Sequence, residues 1–182
     1  LIKHSSETLA GRIAYVELHP FSPLEVLENN AGTARDLWVR GGFPRSYLAG
    51  SSKMSFTWRK HFIKTFLERD LRLWGVGTSP EAMRRFWRMC AHLHGQVMNY
   101  SMIGKSLGVS HTTARHYLDI MEQTFMISRV EAYSGNFAKR IVRSPKVFIN
   151  DSGILHALCN VRNYEDLLGN PVAGFSWEGF VI

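Results

Sequence analysis

The sequence predicts a mainly α-helical fold of the α+β class that contains a winged helix-turn-helix with a β-hairpin wing. Three observations favour this fold. Apolar residues recur at three- and four-residue spacing behind several helix-capping residues. Residues 99–125 (NYSMIGKSLGVSHTTARHYLDIMEQTF) have the pattern helix, glycine turn, helix. Two β-prone runs follow, Met126–Tyr133 and Ile141–Asn150.

Composition narrows the function classes before any motif is considered. The 182 residues include 22 Lys and Arg against 15 Asp and Glu, a net charge of +7, and 45% are hydrophobic. This composition is typical of a folded globular protein and excludes a mostly disordered chain. There is no apolar run of the about 20 residues that span a bilayer and no signal peptide. The two cysteines, Cys90 and Cys159, exclude a disulfide framework. We therefore expect a cytoplasmic protein without a membrane partner.

The positive charge is concentrated in the middle of the chain. Residues 51–75 contain six Lys and Arg against two Asp and Glu, and residues 105–149 contain seven against three. Residues 150–182 contain one against four. A basic middle with an acidic tail favours a polyanion over a membrane as partner, although an ordinary solvated surface explains the charge alone equally well.

The chain before residue 50 is predicted to hold one strand among short helices. Ser5–Ala10 has the pattern of a helix end, and Ile13–Leu18 is β-prone and bounded by turn residues. Ser22, Pro23 and Glu25 form the pattern of a capping box, which predicts a helix that ends near Asn29 and Asn30.

Three more helices are predicted to follow, the last of them long and amphipathic. The first runs from Thr33 to Arg40, the second begins at Pro44, and the long one begins at Ser51 or Ser52. On the long helix, the apolar residues that we expect in the core are Phe56, Phe62, Ile63, Phe66, Leu67 and Leu73. Gly75 and Gly77 interrupt the pattern and predict a boundary there.

A further helix is predicted from Ser79 to about His94. The residues of its buried face are Met83, Phe86, Trp87, Cys90 and Leu93. Cys90 and His94 are four residues apart, as two metal ligands on one helix face would be. Because the other Cys and His residues do not stand at metal-site spacing, we expect no metal site.

The helix-turn-helix is supported by its capping residues. Asn99 or Ser101 caps the first helix, Gly108 is suited to the positive φ of the turn, and Ser110 caps the second helix, His111 to about Thr124. The second helix is predicted to bury Ala114, Tyr117, Leu118, Met121 and Phe125 against Ile103 and Leu107.

This second helix is a candidate for DNA recognition, because the major groove admits one helix and its N-terminal residues then reach the base edges. The candidate residues on the helix are His111, Thr112, Thr113, Arg115 and His116. Those on or beside the wing, expected to contact phosphates, are Lys139, Arg140, Arg143 and Lys146. The alternative is a protein-docking or oligomerisation module, since Asp119 and Glu122 would repel DNA if they faced it.

Several long blocks of the sequence, taken in order, resemble a known family. The blocks are LAGRIAYVELHPFSPLE, WVRGGFPRSYL, FIKTFLERDL, the helix-turn-helix, KRIVRSPKVFINDSGILHALCN and SWEGFVI. Together they are similar to the C-terminal part of prokaryotic AAA+-type ATPases that carry a C-terminal domain of unknown function. That region of the family looks like a winged helix followed by a fold similar to restriction-type nucleases.

The resemblance implies a division of the chain and an ATPase elsewhere in the protein. Residues 1–21 would be the end of the ATPase core, 22–76 a helical lid or linker, 77–149 the winged helix, and 150–182 the start of a truncated nuclease-like region. ATP and Mg²⁺ are expected for the whole protein. No cofactor is expected in this chain, because its sequence has no G-x-x-x-x-G-K-[ST]. The chain alone is predicted to be inactive as an ATPase. Arg12 would stand where such folds place a γ-phosphate-sensing arginine.

The nuclease-like part of the resemblance implies two acidic candidates. Glu178 would open the first nuclease-like helix, and Asp151 would follow a strand, Lys146–Asn150. Asp151 is better explained as the N-cap of the next helix, and the two carboxylates alone do not make a metal site. A nuclease activity of the chain by itself is therefore not predicted.

Overall fold

The computed structural model describes residues 11–14, 16, 18–29, 32–131 and 144–182. In these residues the protein is mainly helical, with one two-stranded antiparallel sheet, as the sequence predicts. The helix Ser5–Ala10 lies outside the described residues.

The predicted capping box is present. Helix α1, Pro23–Glu28, begins after Ser22, whose Oγ accepts the amide hydrogen of Glu25 at 3.3 Å. The Glu25 carboxylate accepts the amide hydrogen of Ser22 at 2.8 Å in return. Two amides of the first turn are thereby satisfied, which fixes where the helix begins.

The next three helices also begin where the sequence predicts. Thr33 caps helix α2, Ala34–Arg40. Helix α3, Pro44–Tyr47, follows, and Ser51 caps helix α4, Ser52–Thr65. The turn between α2 and α3 contains Gly41 at φ +77°.

Helix α4 continues through a turn that the sequence pattern does not reveal. A π-helical turn, Phe66–Asp70, connects α4 to a last short turn, α5, Leu71–Leu73. The amide of Leu71 donates to the carbonyl of Phe66, five residues earlier. One extra residue per turn rotates the following side chains by about 100° relative to an uninterrupted α-helix.

This rotation accounts for one wrong core prediction. Ile63, Phe66 and Leu67 precede or begin the π-helical turn and are buried as predicted. Phe56 and Phe62 are half-buried. Leu73 lies after the turn and is 71% exposed.

The remaining elements complete the fold. They are α6 Pro80–His92, α7 Tyr100–Leu107, α8 His111–Gln123, β1 Ile127–Val130, β2 Lys146–Ile149, α9 Ser152–Leu158, α10 Tyr164–Leu168 and α11 Ala173–Val181. Strands β1 and β2 are antiparallel, with Ile127 opposite Ile149 and Val130 opposite Lys146.

The strand predicted over Ile13–Leu18 is not formed by the residues of this run that the structure describes. Val16 is 88% exposed and Leu18 is 94% exposed. Since a strand needs a neighbour for its backbone hydrogen bonds, β propensity alone does not produce one here.

One apolar core extends through most of the described chain. Helix α6 occupies its centre, with Met83, Phe86, Trp87 and Cys90 fully buried, as its periodicity predicts. The same cluster includes residues from Trp38 to Val172. Apolar packing is therefore continuous across the predicted boundaries after residues 76 and 149. The division into four segments stays a prediction from the resemblance.

A buried guanidinium connects the N-terminal helices to the C-terminal ones. Arg59 of α4 is fully buried and donates to the carbonyls of Ser55 at 3.3 Å, Val39 at 3.2 Å and Gly153 at 2.8 Å. Burial lowers the pKa of Arg59 to about 10, and the charge of Asp151 opposes this shift. The guanidinium joins the end of α2, helix α4 and the start of α9.

Asp151 is the N-cap that the sequence predicts. One of its oxygens accepts the amide hydrogen of Ile154 at 2.8 Å, and the other accepts that of Gly42 at 2.8 Å. A Cβ on Gly153 would lie 2.1 Å from the carbonyl oxygen of Arg40. The loop after α2 and the first turn of α9 therefore contact each other backbone to backbone, which only glycine at this position permits.

Two buried histidines make hydrogen bonds through their rings. His156 Nε2 lies 2.7 Å from Ser176 Oγ and His156 Nδ1 lies 3.0 Å from the carbonyl of Val39. Trp38 Nε1 donates to Ser176 Oγ at 3.0 Å. His94 Nδ1 accepts the amide hydrogen of Ile149 at 3.0 Å. Because His156 and Ser176 are buried and saturated, this pair is structural rather than a nucleophile with its base.

Folding stability is expected to fall in mild acid. Burial lowers the pKa of His94 and of His156 to about 4. Below pH 6.5 the unfolded chain takes up protons at these residues while the folded chain does not. Stability is therefore lost as the pH falls from about 6.5 to about 4, by on the order of 3 kcal/mol per histidine. Thermal unfolding followed by circular dichroism across this range measures the loss.

The control for this prediction is a pair of exposed histidines. A His61→Gln, His92→Gln variant is expected to keep the pH profile of the parent, because both side chains are exposed. A melting temperature that does not change between pH 7 and pH 4.5 would contradict the assignment to His94 and His156.

Candidate nucleic-acid interface

Side-chain caps fix both helices of the helix-turn-helix. Asn99 Oδ1 accepts the amide hydrogen of Met102 at 3.0 Å and begins α7. Ser110 Oγ accepts that of Thr113 at 3.0 Å and begins α8. Gly108 ends α7 in the left-handed conformation, at φ +70°. Of the two caps offered by the sequence for α7, the structure selects Asn99.

The two helices approach each other closely at a second glycine. A Cβ on Gly104 of α7 would lie 2.8 Å from the carbonyl oxygen of Val109. Behind this contact Ile103 packs in the core with the α8 residues Ala114, Leu118 and Met121, all fully buried. The sequence interpretation did not single out Gly104, because a glycine within a helix has no distinctive local pattern.

Helix α8 is anchored to the core through α6. The rings of Phe86 and Tyr117 meet edge to face, with their centroids 5.6 Å apart. The predicted buried face is confirmed except at its end, where Phe125 is 65% exposed. Helix α8 ends at Gln123, and Phe125 adopts a positive φ of 61°. The backbone thus turns away from the helix before the fifth residue of the predicted face.

The wing begins as predicted, and its second strand has another neighbour. The backbone of Val147 in β2 exchanges hydrogen bonds with residues 95 and 96, and the amide of Met98 donates to the carbonyl of Pro145 at 2.9 Å. The segment before α7 therefore flanks β2 on the side opposite β1. Sequence reasoning missed this contact because Gly95 and Gln96 are not β-prone residues. Lys139, Arg140 and Arg143, the predicted phosphate contacts of the wing, lie outside the described residues.

The candidate residues of α8 lie on the outer surface of the helix. His111, Thr112, Arg115 and His116 are exposed, and Thr113 is half-buried. The hydroxyls of Thr112 and Thr113 contact Ser110 Oγ at 2.7 Å and 2.8 Å, so these two residues support the cap as well.

Arg115 is held by an aromatic ring rather than by a carboxylate. Its guanidinium carbon lies 5.1 Å from the centre of the Tyr100 ring. Among the residues that the structure describes, it makes no ion pair. A cation–π contact leaves the guanidinium donors available for a ligand.

The two carboxylates of α8 are both paired with one arginine, which offsets one of their two negative charges. Arg129 of β1 binds Asp119 through Nη1 at 2.9 Å and contacts Glu122 through Nη2. The hydrogen bond to Glu122 raises the pKa of Arg129 above its ordinary value. Sequence reasoning counted these carboxylates against DNA binding and missed Arg129. The sequence could have indicated this pairing, because Arg129 is a basic residue in the β-prone run directly after the helix.

The other residues that the sequence singled out do not form a second site. Arg12 is exposed and lies in a non-regular segment, so its proximity to a nucleotide is untested. Lys146, predicted beside the wing, pairs with Glu178 at 2.7 Å. Glu178 lies within α11 and does not open it, which corrects that expectation.

Metal-binding clusters and membrane-spanning helices are both absent from the described part of the chain. Within it, no group of three or more His, Cys, Asp or Glu residues is placed to hold a metal ion. Every described helix is too short or too polar to cross a lipid bilayer.

These observations define a helical protein with a winged helix-turn-helix. The chain belongs to a family named Domain of unknown function (DUF8612), whose model matches residues 32–165. It is similar to the uncharacterized protein Mb2031c of Mycobacterium bovis and to the uncharacterized protein Rv2008c of Mycobacterium tuberculosis. Each is 43% identical over 182 residues, which cover 100% of this chain and 41% of the relative. The chain thus spans about two fifths of the length of these relatives. The comparison with solved structures gives no significant match.

The close approach of α7 to the turn gives a test of the helix-turn-helix. Gly104→Ala is expected to destabilise the protein by about 1–3 kcal/mol, because the new methyl group overlaps backbone that cannot move. Urea unfolding followed by circular dichroism measures the change.

The matched substitution is Gly174→Ala in α11, where a Cβ meets nothing within 4 Å. Alanine is favoured over glycine inside helices, so this variant is expected to be as stable as the parent or slightly more stable. Equal stability of the two variants would contradict the packing of α7 on the turn.

Proposed function

We propose that this chain is a nucleic-acid-binding module that places α8 in the major groove of duplex DNA. The observation that supports the proposal best is the distribution of charge on α8. Arg115 is exposed without a carboxylate partner among the described residues, while Asp119 and Glu122 are bound by Arg129. The N-terminal half of the helix therefore presents uncompensated positive charge and hydrogen-bond donors.

The spacing of the exposed residues suits this role. His111 and Arg115 are four residues apart, as are Thr112 and His116, so each pair lies on one strip of the helix surface. Arginine binds guanine edges and phosphates in a bidentate manner, and hydroxyls and imidazoles supply shorter contacts. The basic residues Lys139, Arg140 and Arg143 are proposed to add phosphate contacts from the wing.

The resemblance to AAA+-type ATPases extends the proposal to the whole protein. An ATPase domain elsewhere in the protein, with bound ATP and Mg²⁺, would reposition the module on DNA at each turnover. The relatives are long enough for such a domain, since this chain covers 41% of their length. Arg12 is proposed as the residue that senses the γ-phosphate there.

The first test is duplex binding at two ionic strengths. The parent chain is expected to bind duplex DNA and to weaken steeply between about 50 and 200 mM salt. Arg115→Gln is expected to weaken binding about tenfold or more. Adding Lys139→Ala and Arg140→Ala to it is expected to abolish binding. Fluorescence anisotropy of a labelled duplex measures all three.

Arg45→Gln is the control for lost charge. Arg45 is exposed on α3 and carries the same charge as Arg115. Its variant is expected to bind duplex as the parent does. Parent-like binding by the Arg115, Lys139 and Arg140 triple variant would refute the assignment of the interface.

A second test concerns the carboxylates of α8. Arg129→Met leaves Asp119 and Glu122 without their cation and is expected to weaken duplex binding about tenfold, because both charges then face a polyanion. Adding Asp119→Asn and Glu122→Gln to Arg129→Met is expected to restore binding. Misfolding caused by Arg129→Met would persist in the triple variant. Restored binding would therefore show that the loss in the single variant is electrostatic.

A protein-docking role is the second candidate, and exposed apolar side chains favour it. Phe125 is 65% exposed, Met102 is 45% exposed and Val130 is 40% exposed. Association through such side chains resists salt, whereas phosphate binding does not. Self-association of the chain that persists at high salt and is lost in Phe125→Ser would favour docking over DNA binding.

A further inference from the structure

A basic groove lies beside the N-terminal half of α4, among residues that the winged helix does not use. Its volume is about 540 Å³, which is within the range of small-ligand sites. Helix α4 forms one wall, and Arg162 and Asn163, between α9 and α10, line the other. The groove is separate from α8, because no residue of α8 lines it.

The lining of the groove is rich in cations and lacks acids. Lys53 and Lys60 contribute positive charge, Arg162 adds a guanidinium that is paired with Asp166 outside the lining, and no Asp or Glu belongs to the lining. Lys53 and Lys60 make no ion pair with any described residue. Two lysines without counterions on one wall raise the local concentration of anions.

The positions of these cations fit a short chain of negative charges. Lys53 and Lys60 are seven residues apart, so they lie on one face of α4 with their backbones about 10 Å apart along the helix axis. Two or three linked phosphates are shorter than this separation, and the long lysine side chains can span the difference.

Two of the cations are held in place before any ligand binds. Lys60 Nζ lies 5.8 Å from the centre of the Phe56 ring, a contact that leaves its three N–H donors available. The guanidinium of Arg162 binds Asp166 through two nitrogens, at 2.7 Å and 3.2 Å. Asn163 uses Oδ1 to cap α10, so its Nδ2 donor is not part of that contact.

We infer that this groove binds the phosphoanhydride chain of a small ligand, such as an inorganic polyphosphate or the di- or triphosphate of a nucleotide. Lys53 and Lys60 bind the phosphates from one wall, and Arg162 and Asn163 contact them from the other. Phe56 forms the apolar floor between the two lysines. The inference does not depend on DNA binding by α8.

The direct test is calorimetric titration of the chain with inorganic pyrophosphate at about 50 mM and about 200 mM salt. Binding is expected at low salt and is expected to weaken at high salt. Lys53→Gln with Lys60→Gln is expected to weaken it by about a hundredfold, roughly tenfold for each charge-assisted contact. Failure of the parent to bind pyrophosphate would overturn the inference.

The matched control removes two cations outside the groove. Lys64→Gln with Arg72→Gln changes the net charge equally, and both side chains are exposed and absent from the lining. This variant is expected to bind pyrophosphate within about twofold of the parent. Equal weakening in both double variants would mean that only the overall charge attracts the anion, and it would refute the site. Unchanged circular dichroism shows that both variants fold.

Further titrations distinguish the sources of the phosphates. ADP that binds as tightly as pyrophosphate indicates recognition of the phosphates alone. Tighter binding of ADP that Phe56→Leu removes indicates a nucleotide. Adenosine that binds as tightly as ADP would contradict phosphate recognition. Loss of duplex binding in Lys53→Gln with Lys60→Gln would make the groove a nucleic-acid surface and overturn the inference, whereas the Arg115 variants test α8 independently.

Discussion

The buried guanidinium of Arg59 is the interaction on which the arrangement of the chain depends. It binds carbonyls from α2, α4 and α9, and the α9 carbonyl, that of Gly153, is 94 residues from Arg59 in sequence. A fully buried cation is costly unless its donors are bound and a negative charge lies nearby. Asp151 supplies that charge while it caps α9. The helices before and after the winged helix are thereby held on one core, and α6 has a fixed surface on which to place α7 and α8.

The negative charges of α8 are paired with a basic residue of the adjacent wing. Asp119 and Glu122 would oppose a polyanion, and Arg129 of β1 pairs with both from the adjacent strand, which halves their negative charge. The wing therefore does more than extend the surface, because it determines the charge that the helix presents. Arg115, which stacks on Tyr100 of α7, depends in the same way on its neighbour for its position. The candidate interface is a property of the three elements together.

Local signals in the sequence predict helix starts well and long-range contacts poorly. Ser22, Thr33 and Ser110 cap helices where the sequence predicts them, and Ser51 and Asn99 are each one of two predicted starts, because a cap is decided within four residues. The strand predicted over Ile13–Leu18 is not formed by the described residues of that run, since β structure requires a partner that composition does not reveal. Periodicity predicts Leu73 and Phe125 in the core, and both are exposed. The helical pattern in the sequence continues past the π-helical turn and past the end of α8, but the regular helix does not. The contacts of Arg129 and the grouping of the groove cations depend on tertiary structure, so the sequence does not predict them.

The number of residues in the π-helical turn, Phe66–Asp70, determines which side chains α4 presents to the groove. Upstream of it, α4 places Lys53 and Lys60 along the groove, and the turn itself packs against α6. Deleting a single residue there would restore regular hydrogen bonding yet swing the upstream side chains by about 100° about the axis. The cations would then leave their wall while Ile63 moved toward water. The number of residues in this turn is thus under tighter constraint than their identities.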